Sequence, residues 1–312
     1  MYTQNLINIM TDSNFYKKLN KLRAKIKEKR KQELYEMIND EKNQLEDKIA
    51  LIKMSFKELD ERDMVNSFKE FIKGDKKHET KNKKIIVFGG TSGIGLETIK
   101  LLLQNGASKV YAISRNPKKV KIRKKQLVLE KADVLDEASL KALFKRIGKY
   151  DVLVSTATGG ERAIGPFLSM NMQGYRNSFD KLWGYANVVR YGVKNLSKSG
   201  NIVLVSGSPA RKPKPGFVAI SSAGGAVEAF ARAITHELAP IRINLISPGV
   251  IDTPMSPLKG KARKDFYKNS TKDNIIKRAG TANEVAKAII FAIENEFITG
   301  TTIDIDGGWI LS

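Results

Sequence analysis

The chain is expected to fold as α/β: a doubly wound, parallel, seven-stranded sheet with helices on both faces, preceded by an α-helical N-terminal arm. Three observations predict it. From Lys84 onward strand and helix patterns alternate without a break, the order that builds a parallel sheet. The apolar run Lys84-Ile85-Ile86-Val87-Phe88 passes through a glycine turn, Gly89-Gly90-Thr91-Ser92-Gly93-Ile94-Gly95, into a helix-patterned segment. Ahead of this, residues 1–80 contain no proline, almost no glycine, heavy charge and apolar residues at helical intervals.

The arm comes first in the chain. Leu34, Ile38, Leu45, Ile49, Ile52, Phe56 and Leu59 form one apolar stripe, which suits a coiled-coil-like seam or a helix hairpin. Packing on its own domain or on a sister subunit explains such an arm better than a separate activity. Lys17 to Lys31 carries nine basic residues against Glu28, which leaves a contact with an anionic partner open. A polar linker near Gly74 to Lys83 sets the domain boundaries at 1–82 for the arm and 83–312 for the α/β domain. Strands are expected at about 84–88, 109–114, 126–130, 151–155, 201–206, 241–247 and 301–305. Helices are expected at about 94–105, 137–147, 173–197, 221–239 and 282–295, with Gly106, Gly148, Gly200 and Pro240 near their ends, where glycine caps and proline forbids continuation.

The turn between the first strand and first helix has the form of a phosphate cradle. Glycine lets the backbone bend tightly and approach a pyrophosphate, while unpaired amides and the dipole at the helix start attract its charge. A glycine turn alone is weak, but the strand before it, the helix after it and a second strand ending at Ser114 supply a dinucleotide-binding context. Candidate contacts are Gly89, Thr91, Ser92, Gly93, Ile94 and Gly95. Where the second strand ends, the sequence reads Ser114-Arg115-Asn116-Pro117-Lys118-Lys119 and offers no carboxylate for a ribose 2′-hydroxyl. Arg115, with Lys118 or Lys119, can instead accept a 2′-phosphate, so NADP is expected and NAD stays possible. The alternative leaves Arg115 stacked on an adenine or facing solvent.

Composition bounds the rest. A chain of 312 residues with 41% hydrophobic content can bury a full core. No stretch approaches the roughly 18 apolar residues of a membrane span, and the opening segment lacks the pattern of a signal peptide, so the expected location is the cytoplasm. Zero cysteines exclude disulfides, thiolate metal sites and a cysteine nucleophile. The two histidines, His78 and His236, have no ligand-like spacing, so no metal is expected. Net charge is +22, of which residues 1–84 contribute +6 and the remainder +16. No aromatic-interleaved basic stripe accompanies it, so a solvated lysine-rich surface is the reading and nucleic acid is not an expected partner.

The sequence from about residue 83 to 312 resembles the short-chain dehydrogenase/reductase superfamily, a Rossmann-type fold. The glycine turn is similar to that family's T-G-x-x-x-G-x-G with Phe88 in place of the threonine, and Asp151-Val152-Leu153-Val154 matches its fourth strand. The ending Thr299-Gly300-Thr301-Thr302-Ile303-Asp304-Ile305-Asp306-Gly307-Gly308-Trp309 is close to its usual close. The resemblance implies that Asp133 and Val134 receive the adenine, that Thr156 and Ala157 follow the fourth strand beside the cofactor, and that Pro248, Gly249, Ile251 and Thr253 meet the nicotinamide end. It also implies a homodimer or homotetramer paired through helices around Leu182–Leu196 and Ala226–Leu238.

The family's Asn-Ser-Tyr-Lys tetrad does not follow. Aligned on Ala226-Val227-Glu228-Ala229-Phe230, the tyrosine position holds Ile220 and the lysine position Gly224; the serine position holds Gly207 and the asparagine position Lys181. Neither isoleucine nor glycine can transfer a proton. The remaining candidates are Lys181, a proton donor if burial lowers its pKa, and Ser206 or Ser208, which could hydrogen-bond a carbonyl. Met255 to Lys272 corresponds to the family's substrate lid, and its Lys259, Lys261, Arg263, Lys264 and Lys268 suggest a phosphate- or carboxylate-bearing small molecule. Two readings stay open: an NADP-preferring oxidoreductase with a nonstandard proton donor, acting on an unidentified carbonyl or hydroxyl compound, and a noncatalytic nucleotide-binding sensor or scaffold whose arm is its output.

Overall fold

The computed structural model describes Gln32, residues 80–158 and residues 162–312. The arm, its apolar stripe, the basic segment Lys17–Lys31 and His78 lie outside the described residues, Gln32 apart. In chain order the domain runs β1 (Lys84–Phe88), α1 (Gly93–Gln104), β2 (Lys109–Ser114), β3 (Leu127–Lys131), α2 (Glu137–Ile147), β4 (Tyr150–Ser155), α3 (Met172–Ser178), α4 (Asp180–Gly192) and β5 (Leu196–Val205). It continues through α5 (Val218–Leu238), β6 (Arg242–Pro248), β7 (Ile251–Asp252), α6 (Gly260–Ser270), β8 (Gly280–Thr281), α7 (Ala282–Glu294) and β9 (Thr302–Ile305).

Seven strands form one parallel sheet in the order β3-β2-β1-β4-β5-β6-β9, and the short β7 and β8 pair separately. The order reverses between β1 and β4, and in such sheets ligands bind where it does, outside the carboxyl ends of the strands. Successive side chains of a strand face opposite ways, and β1 shows the consequence. Ile86 and Phe88 enter a core shared with α2, α4 and α5, while Ile85 and Val87 enter a second core under α1 and α7. Both faces are therefore covered, which is why the central strands read as unbroken apolar runs. Helix ends follow local chemistry: the Asp136 carboxylate accepts from the Ser139 amide at 3.0 Å, and Thr281 with Glu284 forms a capping box at the start of α7.

Two expectations need correction. The single helix over 173–197 is two helices that meet at Phe179, whose amide bonds to the Arg176 carbonyl at 3.0 Å in a tightened last turn. Its last residues belong to β5, which starts at Leu196 rather than 201. Gly200 is not a helix stop. A Cβ there would lie 2.5 Å from Leu196 Cγ, so the glycine makes room for a folded-back leucine where the register between β4 and β5 shifts. The lid segment also contains a helix, α6, anchored by the buried Tyr267.

Candidate active site

The carboxyl ends of the strands open into a cleft of about 1020 Å³. At its floor, Gly89 and Gly93 adopt φ +74° and +49°, values that favour glycine. Gly95 is needed for a different reason: a Cβ there would lie 2.3 Å from the Gly89 carbonyl oxygen and 2.7 Å from Thr156 Oγ1. Thr156 is fixed in turn, since both its amide and its hydroxyl donate to the Phe88 carbonyl, at 2.9 and 3.0 Å. The side chain of Ser92, which precedes α1, accepts nothing from the helix amides, so the start of α1 carries no side-chain cap.

Fifteen of the sixteen residues expected at a dinucleotide line this cleft: Gly89, Thr91, Ser92, Gly93, Ile94, Ser114, Arg115, Asp133, Val134, Thr156, Ala157, Pro248, Gly249, Ile251 and Thr253. Gly95 sits behind the turn and shapes it. Of the two candidate lysines, Lys119 joins Arg115 and Asn116 on the wall, and Lys118 does not. Ser114 Oγ is buried with no hydrogen-bond partner among the described residues, a donor left for a ligand. A glycine cradle, an open helix start, an orphaned hydroxyl and a cleft at the upper end of ligand-pocket volumes fit a dinucleotide.

At the other end the cleft is lined by Lys181, Ser206, Gly207, Ile220 and Gly224. Lys181, on α4, donates from Nζ to the Ser206 carbonyl at 2.6 Å and lies 5.9 Å from the Tyr185 ring centroid. Burial lowers its pKa from the usual lysine range to about 7, the charge of Arg162 acts in the same direction, and Glu228 opposes both. Tyr185 is buried, donates to the Val205 carbonyl at 3.0 Å, and is pushed well above the ordinary tyrosine range by desolvation.

The serines divide. Ser206 lines the cleft but donates its hydroxyl to Glu228 Oε1 at 2.9 Å, whereas Ser208 is buried off the cleft wall with its hydroxyl unpartnered among the described residues. Glu228 itself gave no sequence signal: one acid on an amphipathic helix reads as a surface residue, yet it is 6% exposed. Arg162 also lines the cleft and touches Met255 Sδ.

The lid differs from expectation as well. Lys259, Lys261, Lys264 and Lys268 are not on the cleft wall, and Arg263 is spent on Asp252 and on the carbonyls of Thr253, Ser256 and Leu258. What α6 and the chain before it present to the cleft is mostly apolar, Pro254, Met255, Pro257, Leu258, Phe266 and Tyr267, with Ser256 and Ser270 beside them. An amphipathic helix turns its apolar side to the cavity and its lysines to water, which removes the lid as a reason to expect an anionic substrate.

Residues 89–310 match the family model described as enoyl-(acyl carrier protein) reductase. The chain belongs to the short-chain dehydrogenase/reductase superfamily. The short-chain dehydrogenase/reductase ATR9 of Stachybotrys chlorohalonatus is 28% identical over 249 residues, covering 74% of this chain and 98% of that protein. The 3-oxoacyl-[acyl-carrier-protein] reductase FabG of Chlamydia muridarum is 28% identical over 247 residues, covering 73% and 97%. Among solved structures, a small-chain dehydrogenase in complex with NADPH matches with TM-score 0.63 and 30% identity, covering 74% of this chain and all of that one. Such relatives place the chain among the NAD(P)-dependent oxidoreductases, a superfamily that acts on small molecules and typically oligomerises. No helix among the described residues is long and apolar enough to cross a membrane.

Proposed function

We propose that the protein is an NADP-preferring oxidoreductase that exchanges a hydride with a carbonyl or hydroxyl group of an apolar small molecule, with Lys181 as the proton donor. The observation that carries this reading is the placement of Lys181 at the reactive end of a cleft whose tyrosine and lysine positions hold Ile220 and Gly224. The glycine cradle would hold the pyrophosphate, Arg115 and Lys119 the 2′-phosphate, and Pro248, Gly249, Ile251 and Thr253 the nicotinamide end. When bound, the dinucleotide supplies or accepts the hydride.

The chain's own residues supply the rest. One N–H of Lys181 is engaged by the Ser206 carbonyl, which aims the ammonium and leaves two donors for a substrate oxygen. A pKa of about 7 lets that group give up a proton near neutrality and take it back, and positioned acid–base help contributes roughly 10²–10⁴-fold. Arg162 lies close enough to act on Lys181 and places a second positive charge where a carbonyl oxygen would gain negative charge. Ile164, Phe217, Ile220, Met255, Leu258 and Phe266 line the cleft around these cations, which favours a largely hydrophobic substrate. A homodimer or homotetramer through α4 and α5, and a cytoplasmic location, belong to the same reading.

The test is NADPH oxidation across a panel of apolar aldehydes and ketones. Lys181→Ala is expected to lower kcat/KM by roughly 10²-fold or more with NADPH affinity retained, while Tyr185→Phe, whose hydroxyl serves the Val205 carbonyl, keeps most turnover. Full activity in Lys181→Ala refutes the assignment. Tight NADPH binding with no turnover on any substrate favours a noncatalytic nucleotide-binding protein.

A further inference from the structure

Behind Lys181 lies a polar connection that runs through the core to the surface. The ammonium donates to the Ser206 carbonyl at 2.6 Å, and the same residue's hydroxyl donates to Glu228 Oε1 at 2.9 Å. The Ser206 amide is tied to the Ile246 carbonyl at 2.8 Å, so the residue joining the two charges is fixed to the sheet. Glu228 is on α5 with its side chain 8% exposed, and its other oxygen lies 3.8 Å from Arg232 Nη1, one turn on, whose side chain is 56% exposed.

A buried carboxylate on a helix facing the sheet is costly unless something compensates its charge. Arg232 pairs with it at 3.8 Å but is exposed to water, and Lys181 adds a second positive charge on the far side of Ser206. On the side of Lys181, Glu228 opposes the burial and the repelling charge of Arg162 that disfavour the ammonium. Glu228 is the acid that acts on Lys181; Asp180, its neighbour in sequence, and Lys214 line the same cleft.

We propose that Glu228 is a positioning residue for Lys181: its buried carboxylate holds the hydroxyl of Ser206, the residue whose carbonyl aims the ammonium, and its negative charge favours that ammonium. This rests on Lys181 as the proton donor of the preceding section. Glu228 does not touch a substrate, and its effect reaches the reaction only through Ser206 and Lys181.

The test reads the titration of Lys181 directly, by pH-dependent acylation with a small anhydride in the full-length protein and mass spectrometry of the Lys181 peptide. Glu228→Gln keeps an acceptor for the Ser206 hydroxyl and removes the charge, and is expected to lower the Lys181 midpoint by about one pH unit. Glu228→Asp, which restores the charge, is expected to bring it back toward the wild-type value. Thermal denaturation and NADPH binding establish that each variant is folded. Should Glu228→Gln not fold, the exposed Arg232→Ala takes its place: loss of the cation strengthens the field of Glu228, and the Lys181 midpoint rises. A midpoint unmoved in folded Glu228→Gln, or in Arg232→Ala where that serves instead, overturns the proposal. A lowered midpoint with wild-type turnover supports the coupling and removes Lys181 as the donor. An unmoved midpoint with turnover lost removes the coupling and leaves Lys181 in place.

Discussion

Gly95→Ala isolates what the cradle requires. The added Cβ would lie 2.3 Å from the Gly89 carbonyl oxygen, 2.7 Å from Thr156 Oγ1 and 2.8 Å from the Gly89 carbonyl carbon. None of these can yield cheaply. The Gly89 amide is bonded to the Ile113 carbonyl at 2.9 Å, and Thr156 is held twice to the Phe88 carbonyl. Carbon and other heavy atoms settle near 3.5 Å, so the turn must open by about 1 Å. Overpacking of this kind costs about 1–3 kcal/mol, and a domain of this size loses roughly 2–4 °C of melting temperature per kcal/mol. The same displacement pulls amides from the phosphate site; losing one charge-assisted hydrogen bond of about 1.5–3 kcal/mol weakens NADPH by roughly tenfold or more. The assay is NADPH titration by fluorescence beside thermal denaturation. The comparison variant is Gly225→Ala, where an added Cβ meets nothing within 4 Å and the helix is expected to gain about 1 kcal/mol. Wild-type NADPH affinity and melting temperature in Gly95→Ala would refute the reasoning.

Two more outcomes follow. Arg115→Ala with Lys119→Ala is expected to weaken NADPH by about ten- to a hundredfold and NADH little, since only the 2′-phosphate is lost to them; equal weakening of both cofactors, read by titration, counts against the phosphate clamp. Lys181 makes stability depend on pH. Its folded pKa of about 7 lies below its usual value of 10.5, so between those values the unfolded chain binds more protons and stability rises with pH. Denaturant titrations across that window should lose part of this slope in Lys181→Met, and an unchanged slope argues against a dehydrated amine.

The sheet was legible because burial on both faces writes itself as apolar runs; Ile85–Phe88 and Val110–Ile113 need no tertiary information. The start of β5 was not, because Ser197, Lys198 and Ser199 look like a loop and belong to the strand only through the pairing of Leu196 with Tyr150 ahead of a register shift. Phe179 gives no sequence sign of a helix break, since the turn there depends on how α3 and α4 pack. The cradle was legible because its glycines answer to local backbone demands. Lys181 could be named because it stands at the asparagine position of the family pattern, but its environment is made by residues distant in sequence, Arg162, Ser206 and Glu228, and a lone buried acid looks like any other acid on a helix. The lid lysines misled for the opposite reason: charge was visible in the sequence, but the side of α6 it occupies was not.

Gly207 and Gly224 are unequal as starting points for protein engineering. A Cβ at 207 would find Pro209 Cδ at 3.7 Å and the Pro248 oxygen at 3.9 Å, ordinary contacts, so a serine can be introduced without rearranging its neighbours. At 224 it would meet the Ala210 Cβ at 2.9 Å. A tyrosine-based active site therefore cannot be grafted in arbitrary order: Ala210 has to be cut back to glycine before a lysine at 224 is tolerated, and a mutant library that omits position 210 excludes that solution from the outset.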